Sequence, residues 1–307
     1  MDIKDIIIIG GGPAGLTAAI YAGRAKLNTL LFTGSLSGGQ LMLSEQIDDF
    51  PGFPEKITGP ELIKKITEQV RKFDIKIIEK NVISVDFQKK PFTIKTDNKE
   101  YLTKAVIVAT GASAKWLGLK NEQELVGHGI SACAVCDGFF FKDKIVGVVG
   151  GGDSAMENAI TLTKYAKKVF VIHRRNELKA SKKLQEEVFK NSKIEFILNS
   201  TISEIKGKDS LEGVFIENIN TKEKRFLELS GLFISIGFNP ATDIFKGQLE
   251  LDNYGYIKVK ENTRTSIDGV FAAGDVCDTK YRQAITAAGW GAMALLDVDK
   301  WLREQNK

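Results

Sequence analysis

Cysteine is scarce in this chain. Three in 307 residues are too few to staple a fold through a disulfide framework, which points to a reducing compartment. Histidine is scarcer, at two, so a zinc site would have few ligands to draw on. No apolar run approaches the roughly 18 residues of a membrane span. Met1-Asp2-Ile3-Lys4-Asp5 passes straight into a strand pattern without the segments of a secretory signal, so the expected location is the cytoplasm. Bias toward disorder is also missing. With 43% hydrophobic and 27% charged residues, the composition is that of a globular chain long enough for two domains. Net charge is only +4 and is unevenly spread: between Lys164 and Lys190 nine lysines and arginines meet three glutamates. One local basic patch suits one local anion better than the stripe that tracks a duplex, so neither a nucleic acid nor a membrane is expected as partner.

Glycine, by contrast, is clustered. Asp5-Ile6-Ile7-Ile8-Ile9 reads as a parallel strand buried on both faces. Gly10-Gly11-Gly12-Pro13-Ala14-Gly15 follows, then a helical stretch to about Ala25 and a strand at Thr29-Leu30-Leu31-Phe32. This is a βαβ unit with Gly10-x-Gly12-x-x-Gly15 at its first turn, the pattern that seats a pyrophosphate on a helix N-terminus. The plan recurs. A strand to Val149 leads into Gly150-Gly151-Gly152-Asp153-Ser154-Ala155, a helix to about Tyr165 and a strand at Val169-Phe170-Val171-Ile172. Short strands follow each unit, and after Asn239-Pro240 come one more strand, at Gly269 to Asp275, and a long helix from about Tyr281. That tail is too short to stand alone. The expected fold is therefore α/β, with two Rossmann-like three-layer nucleotide-binding domains, the second inserted into the first: residues 1–114, 115–243 and 244–307.

The two fingerprints end differently. The second closes on Ala155, and its second strand runs into His173-Arg174-Arg175 with Lys179 beyond. An acid there would accept from a ribose 2′-hydroxyl; cations complement a 2′-phosphate, so NADPH is expected at Gly150, Gly152, Asp153, Ser154, Ala155, His173, Arg174, Arg175 and Lys179. The first strand pair ends in Thr33-Gly34, with no acid, and Gly274-Asp275 places a carboxylate at a later strand end, where it could hydrogen-bond a sugar-alcohol hydroxyl. These residues permit FAD without requiring it.

Cys133-Ala134-Val135-Cys136-Asp137 lies just before the second fingerprint. Half a zinc site and two packed cysteines are open readings, but a dithiol/disulfide pair is favoured by the two-residue spacing. Asp137 could relay a proton or cap the following turn. Cys277 reads as a buried apolar residue.

Taken together, the glycine fingerprints, Gly38-Gly39-Gln40-Leu41, Phe50-Pro51-Gly52-Phe53, Ala109-Thr110-Gly111-Ala112, the Cys133 to Gly138 run, His173-Arg174-Arg175, Phe271 to Val276 and Tyr281-Arg282-Gln283-Ala284 resemble the low-molecular-weight, bacterial-type NADPH-dependent thioredoxin reductases over essentially the whole chain. The resemblance implies FAD in the first site, held by Gly10, Gly12, Pro13, Ala14, Gly15, Thr33, Gly34, Gly39, Gln40, Asp49, Thr110, Gly111, Gly274, Asp275, Arg282, Gln283 and Ala284. It also implies a homodimer, thioredoxin as oxidised substrate, no metal, and catalysis by Cys133, Cys136 and Asp137. Cys136 would face the flavin and Cys133 would attack thioredoxin. Three positions depart from the family: Lys179 stands for an arginine, His128 for an arginine between two glycines tied to thioredoxin docking, and Asp49 for an asparagine. Because the cysteines and the nicotinamide pocket share one domain while the flavin belongs to the other, the inserted domain is expected to rotate between two poses. Two of Phe139, Phe140 and Phe141, exposed on rotation, could then seat thioredoxin, with core packing an equal reading for Phe141.

Overall fold

The computed structural model describes residues 2–35 and 37–305. It forms two compact units, Met1–Ser113 with Asn239–Lys307, and Ala114–Phe238. In the first unit β1 (Ile3–Ile9) leads through the glycine loop into α1 (Pro13–Arg24), whose opening proline brings the helical φ already set. β2 (Thr29–Phe32), α2 (Gly59–Arg71), β3 (Lys76–Ile78), β4 (Ser84–Asp86), β5 (Phe92–Thr96) and β6 (Lys99–Val108) follow. Thr58 starts α2 with a reciprocal cap: its hydroxyl accepts from Glu61 N while the Glu61 carboxylate accepts from Thr58 N. The chain leaves the unit along β7 (Ala112–Ala114).

The second unit holds β8 (Ile130–Ser131), α3 (Ala134–Asp137), β9 (Ile145–Val149), α4 (Asp153–Leu162), β10 (Lys168–Ile172), α5 (Lys182–Lys190) and β11 (Ile194–Ile197). β12 (Ser200–Gly207), β13 (Leu211–Asn218), β14 (Lys224–Glu228) and β15 (Gly231–Ile234) complete it. Five strands pair in parallel in the order β11-β10-β9-β15-β8, while β12-β13-β14 make a separate antiparallel sheet. Successive strand residues point to opposite faces. Val146, Val148, Val169 and Val171 thus pack with Ala155, Met156, Ala159 and Leu162 of α4, and Val149, Ile172, Leu232 and Ile234 pack with Ile202, Ile205, Val214 and Ile216 of the antiparallel sheet. The result is three layers.

β16 (Phe238–Pro240) carries the chain back beside β7, and the return to the first unit comes at Asn239, ahead of the expected 244. β17 (Val270–Ala272) then pairs in parallel with the carboxyl half of β6, whose amino half pairs antiparallel with β5. This completes a sheet ordered β3-β2-β1-β6 with β5-β4 and β17 beyond. α6 (Ala284–Gln305) lies on α1, where Gly291 is obligatory: a Cβ there would fall 2.1 Å from Ala14 O. Ile6 and Ile8 face this helical layer, whereas Ile7 and Ile9 face Phe245, Leu249 and Ile257. Among the described residues no helix is long and apolar enough to cross a membrane.

Candidate active site

The carboxyl ends of β1, β2, β6 and β17 frame the first candidate site. Gly10 has φ +130°, and a Cβ on it would lie 2.0 Å from Ala109 O; one on Gly15 would lie 1.9 Å from Gly10 O, so α1 starts hard against the strand. Gly12 is different. A Cβ there would meet nothing within 4 Å among the described residues, which leaves room at the helix N-terminus, where free N–H groups and the helix dipole favour an anion. Thr33 roofs Gly11, Gly39 lies against Gly12, and Thr110 donates to Ala241 O at 2.7 Å. Gly34 has φ +78° and Gly111 +74°. Asp49 is exposed in the loop closed by the Ile47–Ile57 bridge.

Asp275 follows β17 with a buried Oδ1 that has no hydrogen-bond donor among the described residues. Burial, then the charge of Asp278, raises its carboxyl to about 6, with Arg282 opposing. A buried acceptor lacking a donor fits a ligand hydroxyl, as the open cradle at Gly12 fits its phosphates. Both features match the flavin dinucleotide that the resemblance implies.

Asp278 itself went unnoticed in the sequence. It is 6% exposed, and its carboxylate accepts from Lys280 N and Tyr281 N at 2.8 Å and from Arg282 N at 2.9 Å. These bonds hold Arg282 at φ +48°, so the chain cannot turn helical there. Hence α6 starts at Ala284 and not near Tyr281. The same turn presents Arg282, Gln283 and Ala284 together, with Arg282 hydrogen-bonded to the buried Tyr256 hydroxyl.

The second loop repeats the first. Gly150 has φ +148°, and a Cβ would lie 2.3 Å from Ser235 O; Gly152 again opens onto free space. Alanine is tolerated at 155 because Gly150 beside it has no side chain. Gly151 is covered by the His173 ring, 2.4 Å from where a Cβ would be. His173 is 8% exposed and its Nε2 has no hydrogen-bond partner among the described residues. Burial first, then the charges of Arg175, Arg174 and Lys179, push its pKa down against a hydrogen bond to the Glu177 backbone. A neutral imidazole thus stands inside a ring of exposed cations. The strand's continuation folds back on the loop: Lys179 N and Ala180 N both donate to Gly151 O, and Ser181 N donates to Asp153 Oδ1 at 2.6 Å. Asp153 therefore anchors the cationic segment, and Ser154 is exposed beside it.

The basic run is not one patch. Arg174, Arg175 and Lys179 lie beyond the carboxyl end of β10, while Lys164 and Lys167 precede its amino end. Its five residues separate the two groups by about 16 Å. Linear counting merged them because a strand is short in sequence and long in space.

Cys133 and Cys136 form a disulfide with Cα atoms 5.4 Å apart, a separation such bridges ordinarily span. Cys133 caps α3: its N–H donates to Ser131 Oγ at 2.9 Å and its Sγ accepts from Cys136 N at 3.1 Å. Asp137 ends the same turn, its N–H donating to Cys133 O. Val135 and Phe139 are 67% and 61% exposed, and Phe140 is partly so; Phe141 is buried on Phe233 and Gly231 and belongs to the core. Among the described residues no cluster of three potential metal ligands forms. Cys277 is buried, donates to Gly274 O, and has its thiol pKa raised by burial and by Asp278 and Asp275.

A pyridine nucleotide-disulphide oxidoreductase family model matches residues 4–291. A thioredoxin reductase of Mycolicibacterium smegmatis is 47% identical over 99% of this chain and 98% of its own. The crystal structure of the thioredoxin reductase from Streptococcus pyogenes matches with a TM-score of 0.93 at 42% identity, covering 98% of this chain and 99% of that one. Lactococcus lactis thioredoxin reductase, in a state described as the FR conformation, matches at 0.67 and 38% identity with the same coverage. The chain belongs to the pyridine nucleotide-disulphide oxidoreductases, and within them to the thioredoxin reductase family.

Proposed function

We propose that this enzyme reduces oxidised thioredoxin with electrons from NADPH. The observation that carries the reading is the Cys133–Cys136 disulfide, set in the same unit as a glycine loop ringed by Arg174, Arg175 and Lys179. Gly150, Gly152 and the N-terminus of α4 would hold the NADPH pyrophosphate, and the cations its 2′-phosphate. Gly10, Gly12, Gly15, Thr33, Gly39, Thr110, Gly111, Asp275 and the Arg282-Gln283-Ala284 turn would hold FAD. FAD, when bound, supplies the two-electron relay between nicotinamide and sulfur.

The chain's own chemistry lies at sulfur. Two electrons and two protons open the Cys133–Cys136 bond. The Cys133 thiolate attacks the thioredoxin disulfide, forming a mixed disulfide and releasing one thioredoxin thiol. Cys136 then attacks Cys133 Sγ, restoring the internal bond and releasing the second thiol. The Cys136 N–H aimed at Cys133 Sγ favours the thiolate on the attacking sulfur. Asp137, next in sequence to Cys136, accepts and returns the proton.

Nicotinamide and sulfur belong to one unit and the flavin site to the other, so the units take turns by rotating about the paired crossings β7 and β16. We place the enzyme in the cytoplasm as a homodimer. Exposed Ile285, Met293 and Leu296 share one face of α6 and support an apolar contact between copies. Anaerobic mixing with NADPH should bleach the flavin absorbance, and oxidised thioredoxin should restore it. A flavin that bleaches and is not restored would overturn thioredoxin as the substrate.

A further inference from the structure

Four lysines of the second unit stand apart from the cluster of Arg174, Arg175 and Lys179, one of them, Lys144, with its Nζ 5.7 Å from the centre of the Phe141 ring. Lys142, Lys144, Lys164 and Lys167 are all exposed, and none is ion-paired among the described residues; neighbouring Lys168, by contrast, pairs with Glu195. The backbone brings them together. Asp143 N donates to Tyr165 O at 3.0 Å and Lys167 N to Lys144 O at 2.8 Å, so segments 142–144 and 164–167 lie side by side at the amino ends of β9 and β10. Asp143 is the one acid within those two segments.

The exposed aromatics stand on the same ground. Phe139 meets the Tyr165 ring edge-on at 6.0 Å and the Phe140 ring at 6.2 Å, and Gly138 packs on Leu162 and Tyr165. Apolar surface thus runs from Val135, between the cysteines, to Phe139 and Phe140, and lysines border it. An apolar centre with a charged rim is how transient protein interfaces are built, and like charges crowded on one rim are relieved by opposite charges across it.

We propose that Lys142, Lys144, Lys164 and Lys167 form the rim of the docking surface for a thioredoxin whose own disulfide is bordered by acidic side chains. The inference rests on thioredoxin being the substrate. Steering of this kind acts on encounter and is screened by salt. About 16 Å of β10 separates the rim from the 2′-phosphate cations, so changes here should leave NADPH binding alone.

The test is the triple variant Lys142→Glu, Lys164→Glu, Lys167→Glu beside the matching triple to Gln, assayed as holoenzymes with oxidised thioredoxin across ionic strength. Charge reversal should raise KM for thioredoxin about tenfold at low salt with kcat little changed, the Gln triple should fall between, and the gap should close at high salt. Flavin reduction by NADPH and turnover of a small aromatic disulfide should match wild type in both. If KM and its salt dependence stay at wild-type values while wild type turns thioredoxin over, the rim proposal is wrong. Should wild type take electrons from NADPH yet fail with thioredoxin, the substrate reading falls and the rim with it.

Discussion

In the first unit the residue covering the middle glycine is Thr33, neutral and followed by Gly34; in the second it is His173, followed by Arg174 and Arg175. Both residues come directly after the second strand of their βαβ unit, and both occupy the space a side chain at Gly11 or Gly151 would need. Around them the loops match: one glycine wedged against a carbonyl at φ +130° or +148°, one open to ligand. The scaffold therefore sets where phosphates sit, and the few residues after the second strand set which nucleotide is preferred. A third element, present in the second unit alone, turns that preference into chemistry, because the Cys133–Cys136 bond lies on its chain.

Cys136→Ser breaks the contrast most completely. Thioredoxin turnover should fall at least a thousandfold while NADPH still bleaches the flavin, an expectation that stopped-flow absorbance and a coupled thioredoxin assay can check. Next in size, Arg174→Ala with Arg175→Ala should raise KM for NADPH on the order of a hundredfold and leave KM for NADH nearly unchanged, since two charged hydrogen bonds are lost and each costs about 1.5 kcal/mol even at the low end. Equal losses with both coenzymes would make the two units alike in nucleotide preference. A paired substitution separates fold from ligand within one loop. Gly150→Ala should cost about 1–3 kcal/mol in urea unfolding, because of its φ and its clash with Ser235 O. Gly152→Ala should leave stability alone and weaken NADPH in a titration.

The last effect, seen only as a dependence on pH, concerns Asp275. Its carboxyl is raised in the folded protein to about 6 from 3.8, so its contribution to stability is present below about pH 4 and is lost as pH rises through 6. In flavin-free protein Asp275→Asn should thus gain on the order of 2 kcal/mol at pH 7 relative to pH 4, while binding FAD more weakly. Stability falling together with flavin affinity would show that Asp275 already has a partner.

The features legible in the chain were the local ones. Ile6 to Ile9, the glycine fingerprints, His173-Arg174-Arg175 and the cysteine spacing each announce themselves within a few residues, because a βαβ turn and a short sulfur loop are closed by near neighbours. Asp278 was silent. Its three bonds form only when a buried carboxylate meets backbone amides, and nothing in the letters Asp-Thr-Lys-Tyr-Arg distinguishes that turn from the start of a helix. Glu122 was equally silent, though it is 1% exposed and accepts from the amides of Leu117, Gly118 and Leu119. The short strands after each fingerprint looked equivalent. In the first unit β4 and β5 extend the main sheet, whereas β12, β13 and β14 form their own, a choice made by which apolar faces meet across long stretches of chain.

Where the chain passes into the second unit, Lys115 N donates to Gly237 O at 2.9 Å, so the segment begins and ends at neighbouring points. A module whose ends meet can be lifted from one host and grafted into another without rerouting either backbone. Evolution could exchange the sulfur-bearing cassette while keeping the host lobe, and an engineer could do the same.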